Sequence, residues 1–317
     1  MKRVGILVGR EKTFPEALIK NINERGKGKT IAEYITLGGV RHDLPPAYDL
    51  IIDRISHEVP FYRATLKRAA LEGTVVINNP FWWSADDKFF NYSLAAKLGV
   101  AVPRTVLLPQ KDYIKGIVSE SLRNLEFPLD WQGIIDYVGL PAIMKPNTGG
   151  GWKDVYKVDT MEQLLWAYDQ TGTSTFGQRP KTMILQEFIH WDDYIRCICI
   201  GRKHINPIRY DPTAPFHERY VVDKPVAGPV RERAIHDAIA LTDALGYDMD
   251  TVEFAVRDGI LYAIDFLNPA PDFDSFSIKG ANFEWVLEHM SDLVIDYATG
   301  AAEPPWRKDH RWSHHIR

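Results

Sequence analysis

The chain has 317 residues, 45% of them hydrophobic and 25% charged, enough for about two domains of ordinary size with a sizeable core. Its 38 lysines and arginines against 42 aspartates and glutamates leave a net charge of −4, so no overall basic field points to nucleic acid or a membrane surface. No run of about 18 apolar residues is present to cross a bilayer, and the apolar stretch near Met1 is shorter than the ~7 to 15 residues of a signal-peptide core.

The first hundred residues alternate apolar strands (4–8, 34–37, 50–55 and 74–77) with helical patterns (15–22 and 60–71), which predicts a small α/β layer domain. Gly5 and Gly9 do not complete G-x-G-x-x-G, so a dinucleotide site has no support. Residues 84–98 read as a helix, with Ser84 and Asp87 in an S-x-x-[DE] capping pattern and Gly99 as the stop. Lys88 then falls in the first turn, where a cation costs about 0.3–1 kcal/mol unless acids or a bound anion compensate. Asp86 and Asp87 alone could do so. Trp82 and Trp83, just ahead, suit either packing or the lining of a cleft.

After a strand at 105–108, residues 114–138 are helix-prone but broken at EFPLD. Then comes PAIMKPNTGGGWKDVYKV: a strand ending near Lys145, three glycines, and a second strand at 155–158. A helix at 161–168, strands at 182–189, 194–200 and 204–210, a helix at 229–245 stopped by Gly246, a hairpin in TVEFAVRDGILYAIDFLNP and a helix at 282–298 follow. The histidine-rich tail reads as a frayed end. Cys197 and Cys199 share one strand face and read as buried, reduced thiols, so a cytoplasmic protein is expected.

Three elements carry chemistry. Lys145 precedes Gly149, Gly150 and Gly151, and the chain resumes as a strand, so the segment is not a helical P-loop but a flap whose amides can lie over phosphates; a plain turn is the other reading. Gln186 and Glu187 end one apolar run, and Asp192 and Asp193 open the next, a strand edge suited to a purine with a carboxylate for ribose hydroxyls. Glu253, Asp265 and Asn268 are hard oxygen ligands of the kind magnesium takes. A two-residue turn at Asp258 and Gly259 would send Glu253 and Asp265 to opposite faces, so a three-residue loop that includes Arg257 is predicted.

In this order the motifs resemble the ATP-grasp superfamily, nearest in pattern to glutathione synthetases and ribosomal-protein glutamate ligases. The likeness runs over about residues 50–270 and includes DLIIDRIS and INNPFWWSADDKFFNYSLAAKLGVAVPRT in the front third. It implies an α/β (α+β) fold: a Rossmann-like front domain (1–104), a central subdomain with the glycine-rich lid (105–185) and a C-terminal subdomain with the metal site (186–317), the last two clamping ATP. Lys88 and Lys145 would bind phosphates under Gly149, Gly150 and Gly151. Gln186, Glu187 and Phe188 would hold adenine, with Asp193 near the ribose. Glu253, Asp265 and Asn268 would hold magnesium, or manganese in its place. Arg196 and Arg209 would steady the transferring phosphoryl group, and Arg54 an acidic substrate.

The implied activity is an ATP-dependent carboxylate–amine ligase working through an acyl phosphate on small-molecule or peptide substrates, without nucleic acid or membrane. A homodimer is the commonest closed assembly. A small-molecule kinase and a non-catalytic ATP-binding module are the alternatives. Two departures from the family pattern bear on them. Two residues, not one, separate Asp265 from Asn268, which requires a bulge or replacement by Asp272 or Asp274. Thr251 stands where an arginine is often found.

Overall fold

The computed structural model describes residues 1–81, 87–113, 116–149, 153–171, 181–309 and 315, in three sheets. The first is parallel, in the order β2-β1-β3-β4, from β1 (Lys2–Leu7), β2 (Thr30–Tyr34), β3 (Leu50–Asp53) and β4 (Val75–Ile77). Helices α1 (Phe14–Arg25) and α2 (Pro60–Leu71) follow β1 and β3. Leu50, Ile51 and Ile52 are all buried, as a parallel strand covered on both faces requires. The second strand lies earlier than the expected 34–37, because the parallel partners of Lys2 to Ile6 are Thr30 to Tyr34.

The second sheet is antiparallel, in the order β5-β8-β6-β7: β5 (Thr105–Leu108), β6 (Ala142–Pro146), β7 (Tyr156–Val158) and β8 (Met183–Glu187). Ala142, Met144, Met183 and Leu185 pack with residues of α4 (Trp131–Val138) and α5 (Met161–Gln170). By strand alternation, Lys145 and its ladder partner Ile184 take the other face. The expected boundary at 185/186 falls inside β8. Of the helix-prone stretch 114–138, only α4 and a 3₁₀ turn at Ser119–Leu122 are helical among the described residues, and Asp130 caps α4 through the Gly133 N–H at 2.9 Å.

The third sheet is antiparallel, in the order β11-β10-β9-β12-β13: β9 (Asp193–Ile200), β10 (His204–Tyr210), β11 (Tyr220–Val221), β12 (Met249–Arg257) and β13 (Ile260–Asp265). One face packs on α3 (Lys88–Lys97) and α6 (Gly228–Leu245) through Tyr92, Ala95, Ala238, Leu241, Phe254 and Phe266. Cys197 and Cys199 lie buried as free thiols in that layer. The opposite face shares a core with α8 (Gly280–Thr299), whose Val286, Met290 and Val294 also reach Leu18 and Ile22 of α1. The first and third sheets are therefore joined through α8.

Among the described residues, helix α3 begins at Lys88. Asp87 is its cap, accepting the Phe90 N–H at 3.0 Å, and Lys88 is the first helical residue. Trp82, Trp83 and Ser84 lie outside the described residues, as do Gly150, Gly151 and most of the tail.

Asp274, ahead of the short α7 (Ser275–Ile278), is only 3% exposed and fastens the start of α1. Its carboxylate accepts the Lys12, Thr13 and Phe14 N–H groups at 2.8–3.2 Å and the Thr13 hydroxyl at 2.9 Å. Burial would raise its pKa, but the bonds from Phe14, Lys12 and Thr13 outweigh that and hold the carboxyl below its usual value. A depressed carboxylate contributes stability above its unfolded pKa of about 4 and loses it as pH falls through the folded value. Asp274→Asn is expected to cost about 1–2 kcal/mol at pH 7 in urea unfolding, and the difference from wild type should shrink below about pH 4. A constant difference down to pH 3 would contradict this.

Candidate active site

On the face of the third sheet that meets α8, three side chains stand in a row across three strands. Arg196 on β9 lies opposite Glu253 on β12, and Glu253 lies opposite Asp265 on β13. The shared face was expected, but the device is different. The turn is two residues long, Asp258 and Gly259, with φ of 52° and 75°, the paired positive values of a tight hairpin. Parity is restored by a bulge instead: Phe254 pairs with Ala263 and Glu253 with Asp265, so Ile264 is the extra residue.

Arg196 is 3.5 Å from Glu253 and donates to the Tyr210 hydroxyl at 3.1 Å and to Thr251 Oγ1 at 3.0 Å. Its guanidinium lies over the rings of Tyr210 and Tyr220, at 5.0 and 5.7 Å. Burial opposes that charge, yet Tyr220 and Glu253 outweigh it and raise the pKa further. For Glu253, burial lifts the carboxyl above its usual range; Asp265 adds to this, while Arg196 and the Tyr194 hydroxyl, donating at 2.7 Å, restrain it. Asn268 joins the group despite its spacing. Its N–H donates to Asp250 Oδ1 at 2.8 Å, and its Nδ2 to Thr251 Oγ1 at 3.2 Å, which keeps the amide oxygen for another partner. Asp250 is fully buried, its Oδ2 has no hydrogen-bond partner among the described residues, and burial holds its carboxyl far above the usual range. Asp274 is spent on α1 and cannot stand in for Asn268.

The lysines meet at α3. Lys88 Nζ donates to the Gly149 carbonyl at the start of the glycine segment. Asn147, just beyond β6, ties the two elements: its carbonyl accepts the Lys88 N–H at 3.0 Å and its Oδ1 the Phe89 N–H at 2.8 Å. One helical turn on from Lys88, Tyr92 accepts a hydrogen bond from Lys145 Nζ at 2.9 Å, and the same ammonium is 5.3 Å from the Tyr92 ring centre. The Tyr92 hydroxyl donates to the carbonyl of Ile264 at 2.5 Å. Lys145 on the second sheet is thus two hydrogen bonds from the residue preceding Asp265.

The hinge between the second and third sheets is more occupied than expected. The N–H groups of Glu187 and Phe188 already bond to the carbonyls of Arg104 and Pro141, at 2.8 and 3.3 Å, so they are not open to an adenine. Gln186 is 3% exposed and its amide bonds Thr105 Oγ1 at 2.9 Å. Glu187 lies between Arg104 and Arg257, at 3.2 and 3.1 Å. Burial pushes its carboxyl up, but those two arginines win and hold it below its usual range. The half-buried Phe188 ring meets His190 at 4.9 Å and Lys157 at 5.2 Å.

Two arginines depart from expectation. Arg209 pairs with Asp193, and strand alternation puts both on the face opposite Arg196, so the two arginines do not converge on one group. Arg54 is closed to a substrate: its side chain is 0% exposed, bonded to Glu11, to the Pro271 carbonyl and to Met249 Sδ at 2.9 Å, and packed between Phe14 and Phe273 at 5.1 and 5.2 Å. Tyr92, Asn147, Arg104 and Arg257 escaped the sequence reading. Asn147 and Arg104 flank motif strands, but nothing in their spacing marks them. Cavities of about 310 and 520 Å³ beside α8 are lined by none of the lysines or acids of this site.

Neither a protein-family model nor a curated protein sequence matches this chain. Solved structures do. The D-alanine–D-alanine ligase of Bacillus anthracis, complexed with ATP, is 18% identical with a TM-score of 0.65, over 98% of this chain and 99% of that one. A RimK domain ATP-grasp protein of Sphaerobacter thermophilus is 17% identical with a TM-score of 0.65, over 92% and 98%. The ATP-grasp ligase PsnB, complexed with its minimal precursor, Mg and ADP, is 15% identical with a TM-score of 0.59, over 94% and 98%. Such likeness, nearly end to end, carries the architecture: this chain has the ATP-grasp fold.

Proposed function

We propose that the chain is an ATP- and magnesium-dependent ligase that joins a carboxylate to an amine. The observation that carries this reading is the junction at Tyr92, which links the Lys145 ammonium to the strand end bearing Asp265. In the reaction, a substrate carboxylate oxygen takes the γ-phosphoryl group of ATP and ADP leaves. The amine then attacks the acyl carbon and loses a proton, and the acyl C–O bond breaks so that inorganic phosphate leaves with the bridging oxygen and the electron pair.

Glu253, Asp265 and the Asn268 amide oxygen fit magnesium. They are hard donors, and in their row Arg196 is the ion-pair partner of Glu253. Among the described residues no group of three or more His, Cys, Asp or Glu could hold a metal unaided. That suits an ion which usually takes one or two carboxylates and completes its shell with phosphate oxygens and water. When bound, it supplies charge neutralisation of those oxygens.

Lys88 and Lys145 bring fixed ammoniums to the transferring phosphates, with Gly149, Gly150 and Gly151 as the cover. Arg196 holds Glu253 in place and supplies positive charge on that face. Arg209, with Asp193, is left for the ribose side or the second substrate. The two departures that favoured a non-catalytic module each have local compensation: Arg196 reaches the Thr251 hydroxyl from the neighbouring strand, and the same hydroxyl receives Asn268. Buried thiols at Cys197 and Cys199 support a reducing compartment.

Incubation with ATP, magnesium, a carboxylate panel and hydroxylamine is expected to release ADP together with a hydroxamate. ADP with a phosphorylated alcohol and no hydroxamate would favour a kinase instead. In Lys145→Ala, turnover should fall by about 10²–10³-fold or more with an unchanged far-UV spectrum; wild-type turnover would contradict the site. For Asp265→Asn, the magnesium concentration giving half-maximal turnover should rise about tenfold or more, since one carboxylate ligand loses its charge. An unchanged magnesium dependence would remove Asp265 from the metal site.

A further inference from the structure

Tyr92 does more than fill space between α3 and the third sheet. Its ring does pack edge-on against Phe266 at 5.4 Å, and the residue is 5% exposed. Phenylalanine would satisfy that packing equally well. The hydroxyl has separate work, because its two hydrogen bonds go to different sheets. Its hydrogen goes to the carbonyl of Ile264, the bulge residue that has no place in the β12–β13 register. A bulge leaves such a residue outside the ladder, so its backbone polar groups need partners from elsewhere. With the hydrogen committed there, a lone pair of the oxygen faces the Lys145 ammonium.

We infer that Tyr92 is a positioning residue that couples phosphate binding at Lys145 to cation binding at Asp265. This deepens the ATP reading and rests on it. Through one oxygen, Tyr92 supports the bulge that sets Asp265 opposite Glu253 and fixes the ammonium that meets a phosphate. A cation that orders the end of β13 therefore orders the Lys145 ammonium, and a phosphate held there favours the strand conformation that presents Asp265. By reciprocity, the coupling raises the affinity of each for the other by the same factor.

The test measures ADP affinity by calorimetry, with and without magnesium chloride, in wild type, Tyr92→Phe and Phe266→Leu, with melting temperatures recorded. In wild type, magnesium tightens ADP binding. In Tyr92→Phe that gain, taken as a ratio to the variant's own metal-free ADP affinity, is expected to shrink by about fivefold or more. Phe266→Leu disturbs the ring packing but leaves both hydroxyl bonds; it should lower the melting temperature and keep the magnesium gain. A full wild-type gain in Tyr92→Phe overturns the inference and leaves the ATP reading standing. So does a gain lost equally in Phe266→Leu, which would make the role one of packing alone. A wild-type chain that binds no ADP overturns the ATP reading, and this inference with it.

Discussion

The hydroxyl of Tyr92 accepts a hydrogen bond from the Lys145 ammonium and donates one to the Ile264 carbonyl, and three elements meet there. Lys145 comes from the second sheet, Tyr92 from α3, and Ile264 from the edge of the third. Helix α3 is itself fixed at its other end by Asn147, which takes the Lys88 and Phe89 N–H groups just where the glycine segment begins. Both ammoniums are thus referred to one helix, and that helix to the strand bearing an acid. Proteins position charge best from packed elements.

Charge around the acid row is graded in exposure, from the buried Asp250 through the half-buried Glu253 to the exposed Asp265. Desolvation lifts the Asp250 and Glu253 carboxyls above their usual range; Arg196, half-buried too, stays charged beside Glu253. In such surroundings each added charge matters more than it would at the surface. Acids raised in this way are disposed to take a cation, and an arginine over two tyrosine rings is held in place by its neighbours. Glu187, between Arg104 and Arg257, shows the converse: paired by two guanidiniums, its carboxyl is lowered.

The sequence carried local order well. The alternation in PAIMKP, the run ending at Glu187 and the hairpin around Asp258 and Gly259 each formed as strands because their periodicity suited a half-buried pleat. Gly246 ended α6 in the left-handed conformation that glycine accepts without strain. What failed depended on distance along the chain. Arg54 could not be recognised as buried without Glu11 and Pro271, 43 and 217 residues away. The opposite faces of Arg196 and Arg209 follow from strand parity, since they stand 13 positions apart across a hairpin, yet only the observed register fixes that parity. Placing the extra residue at Ile264 instead of in the turn was beyond periodicity, because either site restores the same alternation. Tyr92 is a tyrosine in a helix until Ile264 and Lys145 are brought to it.

If Lys145, Lys88 and the Glu253–Asp265 pair serve one nucleotide, as proposed, the structure of the chain with magnesium and a non-hydrolysable ATP analogue will show it. The expected result is a metal held by Glu253 and Asp265 beside phosphates that contact Lys145 and Lys88. A nucleotide bound away from Tyr92, or a metal that leaves both acids untouched, would contradict it.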